Sequence, residues 1–260
     1  MRAKTLDDPQ VVGLIFPQEG KVDLILILII ALVAYLIGSI SFARVITRIV
    51  SPQVSLDKME IPLQNSAETF RFQSIGANTV SSKLGPKVGM LVAILDILKA
   101  FVPVLVCRLA FPEQPAYMLI AGLASMAGHN WPVYYKFEGG SGFSPLLGSL
   151  LAIDPLAVIV VPVLGILLGM VVLRNIIFAF LGWLVLLIPW MWFRTEHLYF
   201  VLYAVGANLL FGLAMIPEYK LMQKYKREGK YLDYGMSSIS ATPMGRGMLK
   251  LAERFKVPIK

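Results

Sequence analysis

This 260-residue chain has only one cysteine, Cys107, and two histidines, His129 and His197. An intrachain disulfide and a cysteine metal cluster are therefore excluded, and the wide separation of the histidines gives no metal-ligand spacing. Charge is also scarce. Only 15% of the residues are Asp, Glu, Lys or Arg, against 57% hydrophobic, and the mean hydropathy is +0.71. Soluble domains carry about 25% charged residues, so the composition points to a membrane protein. The chain shows no internal repeat, which argues against a repeat-built transporter, and no low-complexity tract. Metal catalysis by protein ligands, a cofactor and a nucleic-acid partner are not expected.

Long apolar sequence is what the chain has in abundance. Uncharged runs lie between Asp23 and Arg44, Asp154 and Arg174, Arg174 and Arg194, and His197 and Glu218. Each is close to the roughly 20 residues that cross a hydrocarbon core. Two further spans are expected, Val88 to Cys107, which carries Asp96 and Lys99, and Gln114 to Gly128, which is short. Phe143 to Ile153 is either a seventh crossing or a re-entrant half-helix. The expected fold class is all-α, a polytopic membrane helix bundle of about seven spans. The first apolar run begins only after Asp23 and lacks a small-residue cleavage pattern, so it is expected to remain as an anchor.

Lys and Arg set the expected orientation. Arg44, Arg48, Lys58, Arg71, Lys83 and Lys87 fall between the first two spans, Lys136 follows the third, and ten cations against four anions follow Pro217. By the positive-inside tendency these segments face the cytoplasm, with the N-terminus outside and the C-terminus inside. The segments around Pro112, Asp154 and Arg194 then face outward, and Cys107 lies near the outer surface. Two parts are expected: residues 1–217 as the transmembrane domain and residues 218–260 as a cytoplasmic basic tail. Met248, Leu249, Leu251, Ala252 and Phe255 oppose Lys250, Glu253, Arg254 and Lys256 on a helix drawn through this tail. Such an amphipathic helix suits either an anionic lipid surface or docking on the protein.

Three polar, small-residue stretches share the expected cytoplasmic side: Gly38-Ser39-Ile40-Ser41, Ser74 to Thr79, and His129 to Gly142. Glycine loops let backbone amides approach an anion, and a helix N-terminus adds unpaired donors, so these loops suit phosphate. Small residues also let helices pack and turn at a membrane surface, which is the plainer reading. Lys136, Lys83 and Arg44 offer formal charge. His129-Asn130 sits at a span end, where a titratable ring must be hydrogen-bonded by the protein or contact a substrate. Asp96 and Lys99, one helical turn apart inside a span, either neutralise each other or support a site.

The order and wording of these stretches resemble the PlsY family of bacterial membrane acyltransferases. The resemblance rests on Gly38-Ser39-Ile40 with Phe42, on Ile75 to Val80 with Leu84-Gly85, and on Gly128-His129-Asn130-Trp131-Pro132-Val133 through Lys136-Phe137 to Gly139, Gly140 and Gly142. Leu95 to Lys99 is similar to the family's LDLLK segment. It implies transfer of a fatty acyl group from acyl-phosphate to glycerol 3-phosphate, giving lysophosphatidate for phospholipid synthesis at a bacterial plasma membrane. Acyl-phosphate, glycerol 3-phosphate and membrane lipid are then the partners, with no cofactor. It also implies catalytic or positioning roles for His129, Asn130 and Lys136. Phosphate binding would fall to Gly76, Asn78, Thr79, Lys83, Lys136, Gly139, Gly140 and Gly142, supported by Ser39, Ser74, Asp96 and Lys99.

The chain departs from the family's pattern where phosphate charge would be met. The family's GSGN opening is lost, Ser82 stands where the family carries arginine, and KGGKG reads Glu138-Gly139-Gly140-Ser141-Gly142. The family's closing HxxN segment corresponds to Pro217-Glu218-Tyr219-Lys220-Leu221, with neither histidine nor asparagine. Residues Ser51 to Arg71 read as a rewritten loop. These losses keep a second expectation open: a degenerate relative that binds a lipid or phosphorylated ligand without acyl transfer.

Overall fold

The computed structural model describes residues 22–56, 60–62, 69–71, 74–228, 243–254 and 257. The charged N-terminal stretch and parts of the rewritten loop and tail, including the side chains of Lys58, Arg71, Met248 and Phe255, lie outside the described residues. The described chain is helical. In order come α1 (Leu24–Gly38), α2 (Phe42–Val50), strands β1 (Glu60–Pro62) and β2 (Thr69–Arg71), α3 (Ala77–Leu84), α4 (Pro86–Ala110) and α5 (Pro115–Asn130). A 3-10 turn (Val133–Tyr135), α6 (Phe143–Ile153), α7 (Pro155–Leu167) with a π segment (Leu168–Val172), α8 (Ile176–Thr195), α9 (Leu198–Arg227) and α10 (Pro243–Arg254) follow. The one departure from all-helical structure is the antiparallel β1–β2 ladder in the rewritten loop, with Ile61 opposite Phe70.

Among the described residues, five stretches are long and apolar enough to cross a membrane: Leu24–Val50, which joins α1 to α2, Pro86–Ala110, Pro155–Val172, Ile176–Thr195 and Leu198–Arg227. The two shorter helices, α5 with 16 residues and α6 with 11, sit in the middle of the bundle. Their neighbours shield them: α1, α4 and α9 pack on α5, and α4 packs closely on α6. A helix end surrounded by protein need not reach the full hydrocarbon depth, because its backbone polar groups do not meet lipid. The lipid-facing surface belongs to the long helices, as in Leu24, Ile25, Leu28 and Leu32 of α1 and Met90, Ile94, Val102 and Val106 of α4.

Small residues set the helix spacing. A side chain on Gly38 would lie 2.2 Å from the Ser125 carbonyl oxygen, and one on Gly128 would lie 2.2 Å from that of Tyr35, so α1 and α5 touch backbone to backbone. The end of the bundle away from these glycines is tied by polar contacts. The Tyr117 hydroxyl accepts from the Asp23 amide at 2.9 Å, and Arg108 donates to the Ala152 carbonyl. Asp154 accepts from Trp190 Nε1 at 3.0 Å and Arg194 Nε at 3.3 Å, and it also caps α7 through the Leu156 amide. Cys107, near this end, is buried.

The C-terminal segments differ from a simple tail. Helix α9 runs through Pro217 to Arg227, and Glu218 is buried inside the fold. Helix α10 docks on protein: Ala252, fully buried, and Val257 join Met170, Ile176 and Ala179 in one apolar cluster where α7 turns into α8. Apolar burial holds this helix, so high salt should leave it in place while a buried charge should release it. Ala252→Asp would bury an unpaired carboxylate. Tryptic cleavage at Lys250 and Arg254 in detergent is expected to rise about tenfold or more, the factor that ~1.4 kcal/mol corresponds to. Unchanged cleavage, or release of the wild-type helix by salt, would count against this docking.

Candidate active site

The break between α1 and α2 is where the site begins. Gly38-Ser39-Ile40-Ser41 interrupts an otherwise apolar span, Ser39 Oγ turns back to the Tyr35 carbonyl at 2.8 Å, and the Ile40 carbonyl is left without a helical partner. Lys99 from α4 supplies that partner, its Nζ donating to Ile40 O at 2.7 Å. The same ammonium lies 2.8 Å from Asp96 Oδ1, and both side chains are about 2% exposed. His129, near the end of α5, places Nδ1 3.6 Å from the same carboxylate oxygen, an electrostatic contact beyond hydrogen-bond length. A lysine, an aspartate and an imidazole thus form one buried cluster joining α4, α5 and the α1–α2 break.

The loop after α5 folds back onto this cluster. Pro132 starts the 3-10 turn, and Lys136 and Phe137 adopt left-handed backbone with φ of 53° and 61°, a reversal that L-residues enter only under local constraint. The reversed chain lays Gly139 and Gly140 against His129, with the Gly140 amide donating to His129 O at 3.0 Å. A side chain on Gly140 would come within 2.1 Å of His129 Nε2, so only glycine leaves the ring where it is. Gly142, with φ of +87°, opens α6, and a side chain there would meet Asn130 Oδ1 at 2.6 Å. Asn130 donates through Nδ2 to the Leu210 carbonyl of α9 at 3.2 Å, while its buried Oδ1 has no hydrogen-bond partner.

The second motif closes the third side. The Ile75 amide donates to Gly139 O at 2.9 Å, and Thr79 Oγ1 donates to Ser74 O at 3.1 Å. Gly76 caps α3 with no side-chain cap, and the space beside it is open. The result is a small crevice between helix ends. Its walls include Ser39, Ser41, Ile75, His129 and Gly139, with Asp96 and Lys99 at its base.

The expected site residues therefore separate into two groups. Ser39, Asp96, Lys99, His129 and Gly139 line the crevice, and Ser74, Gly76, Thr79, Asn130, Gly140 and Gly142 adjoin it through the contacts above. Lys136, Asn78 and Lys83 do not line it. Lys136 and Asn78 are exposed, and Lys83 is exposed with Nζ donating to Ser55 O of the rewritten loop at 2.9 Å. Arg44 is better placed than Lys83: it donates to Ser41 Oγ at 3.3 Å and lies over the Tyr135 ring, 4.6 Å from its centroid. Glu218 and Tyr35 did not stand out in the sequence. Tyr35, which donates to the Trp131 carbonyl at 2.7 Å, looked like one more apolar-span aromatic. No group of three metal-ligating side chains exists among the described residues.

The fold and crevice define a class: a polytopic helical membrane protein whose polar, glycine-rich site sits where several helices end at one side of the bundle. The family model for glycerol-3-phosphate acyltransferase matches residues 28–227. The chain belongs to that family. It is 31% identical over 183 residues to the glycerol-3-phosphate acyltransferase of Halalkalibacterium halodurans, covering 68% of this chain and 82% of that one. Identity to the Aquifex aeolicus enzyme is 35% over 128 residues, covering 49% of this chain and 60% of that relative. The crystal structure of PlsY in its glycerol 3-phosphate form matches with a TM-score of 0.60 at 26% identity, covering 79% of this chain and 94% of that one. Its lysophosphatidic acid form matches at 0.59 and 25%.

The Asp96–Lys99 pair gives a direct test of what holds the site together. Lys99→Met leaves a buried carboxylate without its ammonium and is expected to cost about 3–5 kcal/mol of stability. The double variant Asp96→Leu with Lys99→Met is expected to cost less than either single change, since neither charge is then stranded. Unfolding curves in detergent measure this, and a double variant as unstable as the sum of the singles would show that the two do not act as a pair.

Proposed function

We propose that this chain transfers a fatty acyl group from acyl-phosphate to the 1-hydroxyl of glycerol 3-phosphate, releasing lysophosphatidate and phosphate. The observation that carries the reading is the convergence of all three motif segments on one crevice around His129, in a chain of the glycerol-3-phosphate acyltransferase family. Acyl-phosphate is a mixed anhydride and already activated. The hydroxyl oxygen bonds to the carbonyl carbon, the carbon–oxygen bond to phosphate breaks, and the hydroxyl proton leaves with the departing phosphate. Alignment of the two substrates and stabilisation of their charge supply most of such a rate. His129 and Asn130 orient the reacting groups, the amides of Gly76, Gly139 and Gly142 donate to phosphate oxygens while Gly140 holds the loop on the His129 carbonyl, and Lys136 meets phosphate at the rim.

A second reading is kept by three observations: Lys136 and Lys83 stand off the crevice walls, Lys99 is engaged by Asp96, and Ser82 stands where the family's pattern has arginine. A site short of free cations could bind its ligand without turning it over. Purified protein in lipid nanodiscs, given acyl-phosphate and glycerol 3-phosphate, is expected to form lysophosphatidate. Lys136→Ala is expected to lower kcat/KM roughly ten- to a hundredfold, the size of one charge-assisted contact. Glycerol 3-phosphate binding with no lysophosphatidate would leave only the binding role.

The crevice faces the cytoplasm in this proposal, with the N-terminus outside the bacterial plasma membrane, and residues 218–260 extend on the cytoplasmic side. Cys107 is buried and makes a poor reporter. In a Cys107→Ser background, Glu196→Cys is expected to react with a membrane-impermeant maleimide on intact cells, and Lys136→Cys only after permeabilisation. The opposite pattern would reverse the orientation.

A further inference from the structure

Glu218 is 1% exposed, although it follows Pro217 near the polar end of α9. A carboxylate buried that completely needs donors, and two come from one residue 144 positions earlier. The Ser74 amide donates to Oε1 at 3.2 Å and the Ser74 hydroxyl donates to the same oxygen at 3.0 Å. Ser74 is in turn held by Thr79 through its carbonyl, and the next residue, Ile75, is held by Gly139. Those bonds fix where Gly76 stands, and with it the uncapped N-terminus of α3 beside the crevice. Two turns earlier, α9 also accepts from Asn130 through Leu210 O. One helix therefore grips both the second and the third motif.

We propose that Glu218 is a positioning residue of the active site: its carboxylate anchors the Ser74–Gly76 segment so that the first amides of α3 face a substrate phosphate. The inference rests on the acyltransferase reading for its kinetic consequences. It places a carboxylate in the stretch where the family carries HxxN, and gives it a role exercised through the backbone of another motif. The two Ser74 bonds require an acceptor at Oε1, which the amide oxygen of glutamine also supplies. For these two bonds glutamine can replace glutamate, and alanine cannot.

The test compares wild type, Glu218→Ala, Glu218→Gln and Ser74→Ala. Glu218→Ala is expected to raise KM for glycerol 3-phosphate by about tenfold or more, the effect of losing hydrogen bonds to a charged acceptor, with a smaller change in kcat. Glu218→Gln keeps an acceptor for both Ser74 bonds and should raise KM several-fold less than the alanine variant does. Hydrogen exchange at residues 74–80 should accelerate in the alanine variant and not in the glutamine variant, with α7 and α8 unchanged. A lowered melting temperature with unchanged KM would overturn the proposal, as would a glutamine variant no better than alanine. If Glu218→Ala does not fold, Ser74→Ala decides: a KM raised several-fold supports the anchor, and an unchanged KM overturns it. A wild type that forms no lysophosphatidate defeats the acyltransferase reading alone. Protection of residues 74–80 by added glycerol 3-phosphate, present in wild type and the glutamine variant but lost in alanine, would then still support Glu218. Its absence in wild type would overturn the assignment.

Discussion

A lysine inside an apolar span must find both an anion and an acceptor, and the site is organised around the way Lys99 finds them. Asp96, one turn before it on α4, supplies the anion, and the Ile40 carbonyl, released by the break between α1 and α2, supplies the acceptor. Intramembrane charges are costly unless paired within the bundle. That cost fixes the position of α4 against the α1–α2 break, and it draws His129 to the same carboxylate. The pair gives the crevice a polar base that lipid does not reach.

Backbone contact does the remaining assembly. Gly38 and Gly128 bring α1 and α5 together, and Gly140 admits the His129 ring, so the glycine pattern serves packing and site shape at once. The two readings of small residues, helix contact and anion loop, are therefore not rivals at these positions. Gly38 and Gly128 act in packing, whereas Gly76 borders open space at a helix N-terminus where an anion would be favoured. Helix α9 then holds the loops that carry the remaining motifs, through Leu210 to Asn130 and Glu218 to Ser74.

The departures from the family's wording acquire a physical meaning in this arrangement. Lys83, next to the serine that replaces the family's arginine, is turned toward the rewritten loop and bonded to Ser55. Arg44, from a different helix, donates to Ser41 Oγ on the crevice wall. The glycines at Gly139, Gly140 and Gly142 are retained because the neighbouring His129 and Asn130 leave no room for side chains.

The membrane bundle was legible in the chain because burial in lipid demands long uncharged runs, and these mark their own boundaries at Asp23, Asp154, Arg174 and Arg194. The family was legible because glycine, histidine and asparagine at fixed spacing record loop geometry directly. Span lengths for α5 and α6 were less so, since shielding by neighbouring helices relaxes the length that lipid would impose. The docking of α10 could not be told from lipid binding, because an amphipathic face records that something apolar covers it and not what. The partner of Glu218 was invisible for a related reason. In sequence Glu218 is one acid at the head of a basic tail, and only the tertiary fold brings Ser74, 144 residues away, to its carboxylate. Sequence alone determined which residues must avoid water and which loops must bend; tertiary structure decided which polar groups meet, because that depends on contacts between helices far apart in the chain.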